Sequence, residues 1–254
     1  MSDELLSTSV GAVCHLTLHR PHRRNALTPH LARELAAHLD RVEEAGTAEL
    51  VTLTGAGGHF CAGLDLHWLR SLEGGASVDD LQRGLGDFQS AVLAIVRCPV
   101  PVIAVVQGTA AGFGLDLAVA CDLRIAGAGA SFTSAFARMG LVPDGGSTFT
   151  LPRLVGVGRA LRLLMAGETV DAARAHAIGL VDEVIDDAGL DEGVQTMAEK
   201  ILGGAPASVR AIKRLVRSGE AGALEQTLAT EGAAQLQALQ GPEFRRRLEA
   251  FLAR

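Results

Sequence analysis

Tyrosine is absent and tryptophan occurs once, so aromatic residues make up only 4% of the 254-residue chain. Large rings therefore cannot fill most of its interior. The 30 glycines and the 48% hydrophobic content point instead to an aliphatic core with close backbone packing. A basic excess is also missing, with 23 Lys and Arg against 29 Asp and Glu and a net charge of −6. That excludes nucleic acid as the main partner, because phosphate binding needs a positive surface. No CxxC pair occurs. Cys14, Cys61, Cys98 and Cys121 each stand in apolar context, as small core residues of a reducing, cytoplasmic setting would. His15, His19, His22 and His30 gather near the start without an HExxH-type spacing, so no metal site is expected. The apolar run from Ala91 to Ala120 is broken by Arg97, Pro99, Pro101, Gln107 and Gly108, which excludes a membrane span. "MSDELLSTSV" starts acidic and lacks a long apolar stretch, so no secretory leader is expected.

What is present is an alternation of short strands and helices. Gly11 to Leu18 alternates as a strand does. Thr28 followed by Pro29 predicts a helix start, and Leu31, Leu35, Leu39 and Val42 continue at helical spacing. "ELVTLTG" reads as a buried strand, "GAGGHFCAGLDL" as a loop entering a helix, and Leu81 to Val96 as a helix. "PVPVIAVVQG" and "DLRIAG" read as strands. "LPRLVGVGRALRLLMAG" is helical, and "TVDAARAHAIGLVDEVI" is a helix followed by a strand. This pattern predicts an α/β fold with much parallel pairing over residues 1–195. Residues 196–254 lose the strand signal. The tail reads as helices over Glu192–Ile201, Ser208–Arg217 and Glu220–Gln240, plus a short terminal one.

Two glycine-rich stretches invite a nucleotide-loop reading and fail it. In "TGAGGHF" the third glycine position of GxGxxG holds Phe60, and no acidic residue ends a second strand where the dinucleotide fingerprint needs one. "GTAAGFG" lacks the spacing and the lysine of a phosphate loop. Turning strands into helices would account for both sets of glycines. Yet "FCAGLDL" and "AAGFGLDL" share Gly-Leu-Asp where a helix should begin. A helix start carries unpaired N–H groups and partial positive charge. Two such starts converging on one point would hold a developing oxyanion.

These residues resemble the crotonase family, the enoyl-CoA hydratase/isomerase superfamily. The likeness runs through "RPHRRNALTPHL", "GAGGHFCAGLDL", "PVPVIAVVQGTAAGFGLDLAVACDLRIA", "GLVPDGGSTFTLPRLVG", "AHAIGLVDEVI" and "GPEFRRRLEAFLAR", in order and over nearly the whole chain. It implies a spiral of ββα units with a C-terminal helical trimerisation region, and a homotrimer or dimer of trimers. It also implies an acyl-CoA thioester substrate, with no cofactor beyond the coenzyme A of that substrate. The shared chemistry is a thioester enolate held by two backbone N–H groups.

Position by position, the resemblance implies Leu64, after Gly63, and Phe113, between Gly112 and Gly114, as the two donors. Hydratases of the family use two glutamates. The first of these positions matches Asp116 and the second matches Phe136, which handles no proton. Asp144, after Pro143, matches a base of certain double-bond isomerases and a nucleophile of an aromatic acyl-CoA dehalogenase. Read on its own, Pro-Asp-Gly-Gly could equally be turn chemistry ahead of a helix, with Asp144 as N-cap. Asp116 could equally be a buried carboxylate held by backbone N–H groups. Arg24, Ala26, Ala62, Asp65, Leu66 and Lys213 are the expected contacts to coenzyme A. His59 and His67 read as surface or packing residues. The implied activity is Δ3–Δ2 enoyl-CoA isomerisation or 2-enoyl-CoA hydration, with proton transfer by Asp144, Asp116 or both. The alternatives are hydrolysis or substitution through Asp144 as nucleophile, and thioester binding with little catalysis.

Overall fold

A computed structural model describes residues 3–46, 48–71 and 77–253. The chain opens with a hairpin in which β1 (Leu5–Val10) pairs antiparallel with β2 (Val13–Leu18). The second strand is the expected one. The first buries only Leu5 and so leaves no apolar alternation to read. α1 (Pro29–Ala45) begins as the sequence predicts, with the Thr28 hydroxyl accepting the Leu31 N–H at 3.2 Å. β3 (Leu50–Gly55), α2 (Leu66–Ser71) and α3 (Val78–Arg97) follow. α3 starts three residues before the expected Leu81, because Ser77 and Asp80 close a capping box that satisfies its first N–H groups.

Next come β4 (Val102–Val106), β5 (Thr109–Ala111), α4 (Phe113–Ala120), β6 (Leu123–Gly127) and β7 (Ser131–Thr133). α5 (Ser147–Val155), α6 (Val157–Ala166), β8 (Thr169–Asp171), α7 (Ala172–Ala177) and β9 (Glu183–Ile185) complete the mixed part. The rest is helical: α8 (Leu190–Leu202), α9 (Pro206–Arg217), α10 (Ala221–Gln240) and α11 (Pro242–Leu252). The boundary drawn between residues 195 and 196 falls inside α8. That helix packs Leu190, Val194 and Ala198 against sheet residues, so it belongs with the core.

The main sheet has the order β1-β2-β3-β4-β6-β9, parallel from β2 onward. Its central strands β3 and β4 are buried nearly throughout because both faces are covered there. In β4, Val102, Ala104 and Val106 join the larger core, while Ile103 and Val105 face the smaller core beneath α8. β5, β7 and β8 form a second, three-stranded sheet that the sequence reading misses. Strands of three residues are too short to display a two-residue period. The chain thus steps from the large sheet (β4) to the small one (β5), through a helix (α4), back to the large sheet (β6) and again to the small one (β7). This is the expected ββα spiral.

Candidate active site

The second sheet places the two glycine-rich loops side by side. Cys61 bridges Ala110 in parallel, its N–H donating to Thr109 O at 3.0 Å and its carbonyl accepting the Ala111 N–H at 2.9 Å. Leu27 bridges Leu64 on the other side, with the Leu27 N–H on Gly63 O at 2.7 Å and the Asp65 N–H on Leu27 O at 2.8 Å. Residues 61–65 are therefore pinned between the 24–27 segment and β5. Gly63 has φ +98°, and a methyl group there would lie 2.8 Å from Ala111 O and 3.4 Å from Phe113 N. Only glycine allows that approach. Among the described residues no backbone carbonyl accepts the Leu64 N–H. Phe113 is the first residue of α4, so its N–H has no acceptor within the helix. Two N–H groups without a backbone acceptor among the described residues thus belong to adjacent loop segments. The Phe113 ring itself is core, 5.5 Å from the Phe88 ring centroid.

Asp116 lies one turn into α4, all eight of whose residues are buried. Its Oδ2 accepts the Gly145 N–H at 3.1 Å, while its Oδ1 has no partner among the described residues. The Ser147 hydroxyl lies near it but forms no well-aligned bond. Burial, then the charges of Glu231 and Asp144, push the Asp116 carboxyl well above the usual carboxylate range. Gly145 is what lets the loop approach so closely. A methyl group there would sit 2.6 Å from Asp116 Cβ and 2.8 Å from the Phe113 ring.

Asp144 is fully buried as well. It does not cap α5, whose N-cap is Gly146 with no side-chain cap of its own. Its Oδ2 accepts from Gln235 Nε2 at 3.2 Å, its Oδ1 is free of partners among the described residues, and its backbone carbonyl accepts from Gln89 Nε2 at 3.2 Å. Burial raises its carboxyl to about 7, with the Gln235 amide opposing the shift and Glu231 adding to it.

Glu231 and Gln235 are the functional neighbours that sequence reasoning missed. They stand on α10 in the buried row Leu224, Leu228, Glu231, Gln235, Leu239. The available signal was two polar residues on an otherwise apolar stripe. Glu231 accepts the Gly146 N–H at 2.7 Å, the Thr148 N–H at 3.1 Å and the Thr148 hydroxyl at 2.5 Å. Its carboxyl is raised by burial, with these donors working against the shift.

The remaining expected residues separate into two groups. Arg24, Ala26, Ala62, Asp65 and Leu66 gather along the 24–27 and 62–66 segments, with the Ala62 N–H on Arg24 O at 3.0 Å. Arg24 is exposed and, with Asn25, holds a left-handed backbone (φ 49° and 56°). Asn25, also missed, anchors the region. It accepts from the Arg20 N–H and donates to Ala56 O and His59 O at 2.7–2.9 Å. The Asp65 carboxylate faces away from any phosphate role. It pairs with Arg20 at 2.9 Å and accepts the His67 N–H of α2 at 2.9 Å.

Lys213 departs from the expectation. Its Nζ is 2.7 Å from Asp122 Oδ2 and donates to Val100 O at 2.8 Å, which fastens α9 to the sheet and leaves no free cation for a phosphate. A cavity of about 700 Å³ opens beside it, and neither Asp116 nor Asp144 lines that cavity. Phe136 is buried in the larger core. All four cysteines are buried and free, and burial pushes the Cys61 thiol to about 12, so it is no nucleophile. His59 is half-buried and His67 exposed. Among the described residues no helix is long and apolar enough to cross a membrane. No group of three or more His, Cys, Asp or Glu among them is arranged to hold a metal ion.

The enoyl-CoA hydratase/isomerase family model matches residues 8–254. The chain belongs to the enoyl-CoA hydratase/isomerase family. It is an enzyme of this type, and its fold is the crotonase fold. It is 35% identical over 255 residues to the 1,2-epoxyphenylacetyl-CoA isomerase of Escherichia coli K12, covering 100% of this chain and 97% of that protein. It is 37% identical over 238 residues to a probable enoyl-CoA hydratase of Rhodobacter capsulatus, with 93% and 90% covered. Among solved structures, the enoyl-CoA hydratase of Bacillus halodurans superposes with a TM-score of 0.92 at 26% identity, covering 98% of this chain and 100% of that one. A putative enoyl-CoA hydratase of Thermobifida fusca, solved with acetoacetyl-CoA, gives 0.77 at 32% identity, with 89% and 93% covered. The hydratase/isomerase family thus includes both reaction types among the relatives of this chain, and the choice between them rests on the site.

Proposed function

We propose that the enzyme isomerises an enoyl-CoA thioester by moving its double bond, with Asp144 as base and Asp116 as the resident acid. The observation that carries this reading is the unequal setting of two buried aspartates. Asp144 is held at about 7, where it gives and takes a proton readily. Asp116 lies well above the usual range, with one N–H donor and no cation among its perturbing neighbours, so it rests in the neutral form. Asp144 takes the acidified proton from C2 of a 3-enoyl thioester. The electron pair moves onto the thioester oxygen, held by the Leu64 and Phe113 N–H groups. The dienolate then collapses as Asp116 gives its proton to C4, leaving the 2-enoyl product. Before the next turnover Asp144 gives its proton to solvent and Asp116 takes one from solvent. Phe136, at the second acid position of a hydratase, favours this over water addition. Arg24 and the 62–66 backbone are the proposed contacts for the coenzyme A portion.

Incubation with 3-enoyl-CoA in deuterated water tests the reading. The expected product is 2-enoyl-CoA carrying deuterium at C4. Net accumulation of 3-hydroxyacyl-CoA as the main product would overturn it in favour of hydration.

The reading includes a homo-oligomer. Val157, Leu161 and Met165 are exposed at four-residue spacing on α6, Ile212, Leu215 and Val216 are exposed at i, i+3 and i+4 on α9, and such stripes support burial against another copy. Light scattering should give a mass well above 26.4 kDa, and a monomer would exclude this part.

A further inference from the structure

We propose that Glu231 and Gln235 of α10 are positioning residues for Asp144: Gln235 orients its carboxyl, and Glu231 holds the loop that carries it. This rests on the reading of Asp144 as the base.

The argument begins with how residues 142–148 are held. Before α5 starts, that segment has two consecutive glycines, Gly145 and Gly146, and no side-chain cap of its own. Such a stretch has many accessible conformations and needs outside contacts to adopt one. α10 supplies them over a single helical turn. Gln235 Oε1 accepts the Val142 N–H at 3.1 Å while its Nε2 donates to Asp144 Oδ2 at 3.2 Å. One side chain therefore grips the loop backbone and aims the carboxyl.

Four residues earlier, Glu231 accepts the Gly146 and Thr148 N–H groups. It thus caps α5 from another element, in the place where the sequence offers Asp144 as a cap. With Glu231 taking those donors, Asp144 is left with a single hydrogen bond to one oxygen and a bare second oxygen. A carboxyl that capped the helix would be an anion with poor basicity. One with a single neutral donor in a buried site retains it. α3 adds Gln89, whose Nε2 bonds both Asp144 O and Leu228 O, at 3.2 and 2.8 Å, tying the loop to α10 a second time.

The two residues act on the Asp144 carboxyl in opposite senses. The Gln235 amide favours its ionised form, and the Glu231 charge disfavours it. The other groups that meet Asp144 are neutral Gln89 from α3, on its backbone carbonyl, and Asp116 from α4, which feels its charge. The Asp144 charge also opposes the ionisation of Asp116. Within this set Glu231, with three donors, is the best-solvated anion, which leaves the proton to the two aspartates.

The test reads Asp144 directly, without turnover. The enzyme carries carboxyl-labelled aspartate, the Asp144 resonance is assigned by its absence in Asp144→Asn, and its titration is followed by NMR. Gln235→Met removes the donor at similar volume and should raise the Asp144 midpoint by about one pH unit. Glu231→Gln removes the neighbouring charge while keeping an acceptor for the α5 N–H groups, and should lower it by about one pH unit. Gln235→Glu puts a carboxylate against Asp144, and the midpoint should rise further than in Gln235→Met. This third variant keeps the test open if one of the others does not fold. The midpoint of kcat/KM against pH should move with the resonance in each case. Midpoints that stay put while activity falls would mean a purely structural role and would overturn the proposal. If the resonance shifts as expected but Asp144→Asn keeps full turnover, the positioning stands and the assignment of the base fails.

Discussion

The tripeptide Gly-Leu-Asp occurs at three places, and the copies at residues 63–65 and 114–116, in the two glycine-rich loops, hold their aspartates in opposite settings. In the first, the proposed N–H donor is the leucine itself and the aspartate looks outward to Arg20 and the start of α2. Burial raises the Asp65 carboxyl, but Arg20 and the helix N–H groups more than offset this and hold it below the usual range. In the second, the donor precedes the tripeptide, and the aspartate points to a loop with no cation. There burial is reinforced by Glu231 and Asp144. Identical side chains therefore become a fixed anion in one place and a protonated acid in the other. The local sequence is shared, and the difference comes from residues 20, 144 and 231, which are remote in the chain.

The largest way to break this comparison is to neutralise each aspartate in turn. Asp116→Asn and Asp144→Asn should each cut turnover by about 100-fold or more, the scale of general acid–base catalysis, while acyl-CoA binding persists. Asp65→Asn should do the reverse. It leaves Arg20 short of a buried partner and lowers stability by roughly 3 kcal/mol, with a smaller loss of turnover per folded molecule. Steady-state kinetics beside urea denaturation separates the two. Equal effects on turnover and stability at both sites would erase the distinction.

A subtler effect follows from pH. The Asp144 carboxyl is raised on folding from 3.8 to about 7. A raised carboxyl stabilises the fold relative to its ionised form fully below pH 4, and this is lost as pH climbs through about 7. Asp144→Asn removes the group that ionises at such cost. The variant should match the wild type near pH 4 and exceed it by up to roughly 4 kcal/mol near pH 8. Urea midpoints at the two ends of that range check this, and a gap that does not change with pH would mean Asp144 is not strongly shifted. Asp65, lowered rather than raised, should give the opposite trend on acidification.

Much of this architecture was readable from the sequence, and the unread parts share a cause. β2, β3, β4 and β6 and the longer helices α1, α3, α8, α9 and α10 were legible, while the helical stretch of residues 151–167 proved to be α5 and α6, broken at Gly156. The Thr28 cap was legible too, because capping is a local interaction. β1 went unread because it is mostly exposed, and β5, β7 and β8 because three residues carry no period. Asp116 and Asp144 were nameable through their motifs, but their ionisation was not, since it depends on Glu231 and Gln235 from the far end of the chain. Lys213 misled for a related reason. A lysine in an amphipathic helix reads as solvated, whereas here Asp122 and two backbone carbonyls take its ammonium out of solvent.

The smallest expected effect concerns the donor in the first Gly-Leu-Asp. If the Leu64 backbone N–H is what the enolate meets, its side chain is replaceable. The leucine is half-buried at the edge of the core, so Leu64→Ala gives up some packing but no donor. The conformation of the donor is set by Gly63 and by the bonds of Leu27 to Gly63 and Asp65, and none of these uses the leucine side chain. Turnover should then fall less than about tenfold, far short of the roughly 3–4 kcal/mol that removal of an oxyanion donor costs. Most of the loss should appear in KM, because a trimmed apolar wall weakens ground-state and transition-state binding alike. A fall of about 100-fold confined to kcat would show that the side chain, rather than the backbone, does the work at this position. The two loop copies of Gly-Leu-Asp would then differ in more than the surroundings of their aspartates.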